Sequence, residues 1–218
     1  MKKAVFTLAI LTGAIALSLP VYAYETGNWI VRAGATTVAP DDSSSNVFVG
    51  GADLGVGVNV ANDTQLGINI GYFVTPHISI EVLLATPFDH DIGLNTVGAL
   101  GSAKHLPPTL TANYYFADPA AVFQPYVGAG INYTVFFDEQ FSAANKDAGF
   151  SDFSLDNSLG LSVQAGFDYM LFDQWHANAS VRWMDIDTDA QFNLNGDKGT
   201  VAVDIDPFVY TLSVGYRF

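Results

Sequence analysis

The 218-residue chain contains no cysteine. An exported domain made from it holds together without disulfides, and thiolate metal sites are excluded. Basic residues are scarce as well: eight Lys and Arg stand against 22 Asp and Glu, a formal net charge of −14. That balance argues against a nucleic-acid partner, because a phosphate backbone requires a basic footprint. Disorder does not fit either, since half of the residues are hydrophobic and only 14% are charged. Beyond the N-terminus there is no long apolar run of helical character. The nearest, from Ala120 to Phe137, is broken by Pro125, Gly128, Gly130 and Asn132. It alternates Val127, Ala129, Ile131, Tyr133, Val135 and Phe137, which makes it a strand.

What is present starts with an address. Lys2 and Lys3 precede an uncharged apolar run from Ala4 to Leu19, followed by Val21-Tyr22-Ala23. This reads as a secretory signal peptide, residues 1–23, with cleavage expected after Ala23. Residues 24–218 then suffice for one domain.

Period-two alternation recurs along that domain in segments of about ten residues, the length of a tilted membrane-crossing strand. Its clearest instance is the C-terminal stretch, where Phe208, Tyr210, Leu212, Val214, Tyr216 and Phe218 share one face and Val209, Thr211, Ser213, Gly215 and Arg217 the other. Comparable apolar faces begin at Trp29, Leu66, Ile78, Leu110, Val127, Leu161 and Trp175. Together they predict an all-β fold, an eight-stranded antiparallel up-and-down transmembrane β-barrel. Connections alternate in length: short near Thr75-Pro76, Asp118-Pro119 and Asp173-Gln174, long over 39–63, 89–106, 138–157 and 188–203. In outer-membrane barrels short turns are periplasmic and four long loops face outward, so both termini are expected in the periplasm. A soluble barrel of the lipocalin kind would bury the apolar faces, but eight strands enclose too little space for all of them. Aromatic residues near both strand ends, such as Tyr114 and Tyr169 at one and Tyr133 and Tyr210 at the other, predict interfacial girdles.

Several stretches resemble the outer membrane protein W family: NDTQLGINIGYF (62–73), ISIEVLLATPFDHDIG (78–93), KHLPPTL (104–110), PYVGAGINYTVFFDE (125–139), SVRWMDIDT (180–188) and DPFVYTLSVGYRF (206–218). The resemblance covers nearly the whole chain. It implies a Gram-negative outer-membrane barrel with a narrow, largely apolar channel, passing small hydrophobic compounds and releasing them sideways into the membrane. It also implies roles in stress adaptation and as a surface receptor. The terminal Phe218, with Tyr216, resembles the signal read by the outer-membrane barrel assembly machinery.

Inward positions carry the site expectations. All three arginines of the expected mature chain, Arg32, Arg182 and Arg217, fall on inward faces, as they must, since Arg against lipid costs about 2–4 kcal/mol near the midplane. With the inward carboxylates Glu81 and Asp168, Arg32 and Arg217 are expected to form a charge-paired plug in the half nearer the short turns. Above it Leu83, Ala85, Thr109, Thr111, Gly128, Gly130, Thr134, Phe136 and Met184 are expected to line a partly apolar channel, the small residues leaving room. Arg182 also lines this stretch. It departs from the resembled family, which more often places an apolar or aromatic group there. Pro40, Pro87, Pro107, Pro108 and Pro207 lie near the outer strand ends, where a missing amide donor weakens the sheet and offers a lateral exit.

Other chemistry has thinner support. His77, His90, His105 and His176 are present, and His90 lies between Asp89 and Asp91 with Ser102, Ser151 and Ser154 in the loops, but spacing alone supplies no catalytic geometry. Asp185, Asp187 and Asp189 with Asp204 and Asp206 form an acidic rim lacking the glycine and glutamate of a calcium loop. No enzyme activity, metal or cofactor is expected. Divalent ions could bridge the rim to lipopolysaccharide phosphates. Besides outer-membrane lipids, the expected partners are small hydrophobic ligands. The competing reading is a filled barrel that acts through its loops as an adhesin or receptor without transport.

Overall fold

The structure is a computed structural model describing residues 23–95 and 98–218. The expected signal peptide lies outside the described residues, apart from Ala23. Eight strands enclose the barrel: β1 (Trp29–Ala39), β2 (Asp63–Thr75), β3 (Ile78–Ala85), β4 (Thr109–Tyr115), β5 (Phe123–Phe141), β6 (Ser158–Phe172), β7 (Trp175–Met184) and β8 (Phe208–Arg217). Each pairs antiparallel with the next. β8 returns to β1 in a continuous register from Ile30 opposite Arg217 to Ala39 opposite Phe208. Closure leaves the barrel without a free edge, which is what allows strands to sit in lipid.

The alternation of each strand decides its two faces. Leu161 and Leu212 are 61% and 69% exposed on the outside, while Arg32 is 1% exposed within. An apolar belt of this extent is stable against hydrocarbon and not against water. Trp29, Phe123, Tyr169 and Trp175 stand exposed near the short turns, and Tyr133, Phe208 and Tyr210 near the opposite ends, forming two aromatic rings. Asp173, at φ 47°, takes the left-handed conformation that closes the tight β6–β7 turn.

The long connections, read from sequence as loops, are largely ordered sheet. Phe88–Leu94 pairs with Gly98–Leu106, which in turn pairs with the outer part of β5. Asp187–Leu194 and Asp197–Asp204 form a second hairpin, turned by Asn195-Gly196, both at positive φ, the pairing a tight hairpin turn demands. Phe150–Leu155 joins this hairpin. Their own alternation explains the order, because Ile92, Leu100, Phe141, Phe192 and Val203 face one another in a core between the sheets, and Asp89, Asp91, Asp187 and Asp189 face solvent.

Candidate functional site

The barrel interior is filled in layers. Nearest the short turns Tyr24, Ile30, Phe73, Tyr115 and Tyr126 pack together, with Tyr24 stacked on Phe73 at 4.4 Å between ring centres. Tyr24 precedes β1 and is held by a hydrogen bond from its backbone N–H to the Pro119 carbonyl, 2.9 Å. No sequence signal marked this residue as part of the interior, because it lies outside any alternating segment.

A charged layer follows. Arg32 on β1 grips Asp168 on β6 with two parallel bonds, Nε to Oδ1 at 2.9 Å and Nη2 to Oδ2 at 2.6 Å. It also gives Nη1 to Glu81 on β3 at 2.7 Å and Nη2 to the Tyr115 hydroxyl at 2.9 Å. Asp168 accepts further bonds from the Tyr24 hydroxyl and Asn178, each at 2.9 Å. Glu81 accepts from Arg182 on β7 at 3.0 Å and from Gln164 at 3.2 Å. Arg217 lies over the Tyr24 ring, 5.2 Å from its centre. Arg32, Glu81 and Asp168 thus meet directly, and Arg217 joins them through the tyrosine. Arg182, expected to line the stretch above the plug, belongs instead to the charged layer, because its side chain reaches Glu81 and Gln164. Charged groups so deeply buried are stable only when their lone pairs and protons are met in this way.

Above the charges sits an apolar layer of Val38, Leu83, Phe88, Met184, Ile186 and Val209, edged by Ala85 and Phe136. The small residues do not open a passage here. A Cβ on Gly130 would run into the Leu110 carbonyl, and one on Gly128 into the Asn113 amide, so these glycines permit close packing rather than vacant space. Thr109 turns its hydroxyl to the Pro107 carbonyl at 2.9 Å, Thr111 is buried, and Thr134 contacts Asn132 at 3.2 Å. Met184 is fully buried. Space exists farther out, between the sheets of the long connections. An apolar cavity of about 60 Å³ is lined by residues including Val60, Ile92, Phe141, Phe153, Phe192 and Ile205, and reaches Leu54, which is exposed. A second, of about 40 Å³, lies against Pro40, His90, His105 and Phe136 and shares Val60, Ile92 and Ile205 with the first.

The barrel wall is broken beside this second cavity. Leu83 pairs with Thr109 and Phe88 with His105, but residues 84–87 and 106–108 between them make no pair with each other. Four residues therefore face three, the unequal count of a bulge, and Pro87, Pro107 and Pro108 flank the break, each without an amide donor. Pro40 and Pro207 behave otherwise. The Met184 amide donates to the Pro207 carbonyl at 3.2 Å and the Asp41 amide to the Ile205 carbonyl at 3.1 Å, so the wall continues past them. A polar clasp holds one lip of the break, tying β2 to the residues just beyond β3: Asp63 accepts from the Asp89 amide at 2.9 Å and from Gln65 at 2.8 Å, and Gln65 accepts from Thr86 at 3.0 Å.

The histidines are dispersed. His77 contacts the Tyr115 carbonyl at 3.0 Å, and His176 lies 3.8 Å from Asp168. His90 and His105 stack at 4.9 Å, and burial, then the neighbouring His90, lowers His105 to about 3. His90 faces inward while Asp89 and Asp91 face out, so strand alternation separates the residues of the imagined catalytic set. In the acidic rim Asp185, Asp187 and Asp206 bring ligand atoms within 4.8 Å of one another. Desolvation and the carboxylates of Asp185, Asp204 and Asp206 raise Asp187 above the usual carboxylate range.

A closed antiparallel barrel with an apolar belt, a filled polar interior, and short turns opposite long structured connections defines a class: the multi-pass β-barrels of the bacterial outer membrane. Residues 25–218 match the OmpW family. The chain is 46% identical to outer membrane protein W of Vibrio cholerae and 45% identical to that of Escherichia coli, in each case over all of both chains. Its fold is similar to the crystal structure of OprG from Pseudomonas aeruginosa, at a TM-score of 0.87 and 42% identity, covering 90% of this chain and 98% of that one. The chain belongs to the OmpW family.

Proposed function

We propose that this barrel is a passive channel for small hydrophobic molecules that enter between the long connections and leave sideways into the membrane. The break between β3 and β4 carries the reading. It lies beside the apolar cavity, at the level where the filled interior begins, so a guest that descends to Phe136 and His105 meets a weakened wall beside it and a packed floor below. The ion pairs of Arg32, Glu81, Asp168 and Arg182 act as a plug, because a guest crossing them would have to displace bonded charges in a site with little water. An apolar guest gains nothing there and gains a hydrocarbon solvent through the wall. In this reading the short turns and both termini are periplasmic and the long connections face outward, where the acidic rim meets lipopolysaccharide through divalent ions. The C-terminal Tyr216 and Phe218 serve recognition by the barrel assembly machinery.

The test uses the absence of cysteine. In an Ala85→Cys, Pro107→Cys variant the two thiols continue the Leu83 to Thr109 register across the break. Closing the disulfide should abolish uptake of a small apolar solute by intact cells or proteoliposomes, and reduction should restore it. Unchanged uptake with the disulfide closed overturns lateral release.

A further inference from the structure

We infer that His90 selects the guests of the inner cavity, and that the favoured ones are small apolar molecules bearing one O–H or N–H donor. The inference rests on the channel reading above and specifies its substrate class. The strand Phe88–Leu94 turns Phe88, His90 and Ile92 inward, and a hydrocarbon lining would call for an apolar side chain at the middle position. His90 instead sets an imidazole on the cavity wall, 4% exposed, among Val60, Ile92 and Ile205.

Its hydrogen bonding is half complete. Nδ1 faces the Ala61 carbonyl, an acceptor, so Nδ1 carries a proton, and in the neutral imidazole Nε2 then presents a lone pair. That Nε2 is buried and has no hydrogen-bond partner among the described residues. Stacking holds the ring in place: His105 lies 4.9 Å away and tilted by only 17°, Phe88 is 5.3 Å from His105, and Phe136 is 5.8 Å from it on the cavity side. Rotating the imidazole to seek another donor would cost these contacts and the bond to Ala61. A buried acceptor left unmet is unfavourable, and a guest that supplies a donor removes the deficit. An alkane or alkylbenzene leaves Nε2 unmet. A phenol, alcohol or indole-like N–H meets it while its apolar body lies against Ile92 and Ile205. A carboxylate brings lone pairs against a lone pair and is disfavoured.

The experiment compares 4-ethylphenol with ethylbenzene, which differ by one hydroxyl, binding to the full barrel in nanodiscs, each corrected for partition into protein-free discs. Wild type should favour the phenol by about tenfold, the effect of one neutral hydrogen bond to a group otherwise unmet. His90→Phe, which keeps a flat ring in the stack, should bring the ratio near one. In ¹⁵N-histidine spectra of the wild type, the His90 Nε2 resonance should move with 4-ethylphenol and stay with ethylbenzene, a readout independent of whether the variant folds. Equal binding of both guests by wild type, or a preserved ratio in a folded His90→Phe barrel, or a stationary Nε2 resonance, overturns the inference and leaves the channel standing. If neither guest binds above the protein-free discs, both readings fall.

Discussion

Replacing Glu81 by Gln tests whether the charged layer holds the barrel closed. Glu81 is 2% exposed and sits between two guanidiniums, accepting from Arg32 at 2.7 Å and from Arg182 at 3.0 Å. Gln keeps the volume and one carbonyl acceptor but removes the charge. Arg32 retains its double grip on Asp168, so most of the loss falls on Arg182, whose remaining partner is the Gln164 amide oxygen at 2.9 Å from Nε. Breaking a buried pair costs about 3–5 kcal/mol, and the retained acceptor should bring this nearer the lower figure, about 3 kcal/mol. The assay is urea unfolding in lipid vesicles, followed by tryptophan fluorescence from Trp29, Trp175 and Trp183. Adding Arg182→Met to Glu81→Gln removes the unmatched charge and should recover at least half of the loss. Single-channel conductance should rise in Glu81→Gln and fall again in the double variant. A loss below about 1 kcal/mol, or strict additivity of the two substitutions, would refute the claim that these ion pairs secure the interior.

Other outcomes follow from the same geometry. His105 has its folded-state value lowered to about 3, so the unfolded chain binds more protons below its ordinary value of about 6.5, and stability must fall as pH drops from about 6.5 to about 3. Protection factors in Gly98–Leu106, measured against the intrinsic exchange rate at each pH, should fall over that window, and His105→Phe should flatten the dependence. Asp63→Ala removes the acceptor of the Asp89 amide and of Gln65, which should cost about 1 kcal/mol because the Asp89 bond is solvent-exposed and should speed exchange of the Asp89 amide at the lip of the β3–β4 break; an unchanged Asp89 exchange rate would count against the clasp. Deleting residues 142–156 takes Phe150, Phe153 and Leu155 from the outer cavity, so uptake should decline along with any loop-dependent receptor activity. Uptake that survives intact would place the entry elsewhere.

The barrel was legible in the sequence because period two is a local property: whichever residues alternate must divide between two solvents, and an apolar face of six large side chains ending at Phe218 admits few destinations. The inward positions of Arg32, Glu81, Asp168 and Arg217 followed from the same count. The partner of Arg182 did not, since it depends on which of several inward groups a long guanidinium reaches, and Glu81 lies about a hundred residues earlier in the chain. Tyr24 was missed for a related reason, because an isolated residue before the first strand has no pattern to betray that it caps the interior. The long connections were read as loops because their alternation is short and interrupted, yet Ile92, Phe141, Phe192 and Val203 find one another across different connections and build a core that no single segment announces.

Proline marks the division most clearly. The sequence places five prolines near the outer strand ends and determines that each lacks a donor. Only the tertiary structure decides that the ladder runs on past Pro40 and Pro207, where neighbouring amides reach across, and fails at Pro87, Pro107 and Pro108, where both strands lack donors at the same height. A missing hydrogen bond belongs to one residue, but a gap in a wall belongs to two strands and their register. Register is set by closure of the whole barrel, and closure is not written in any one of its strands.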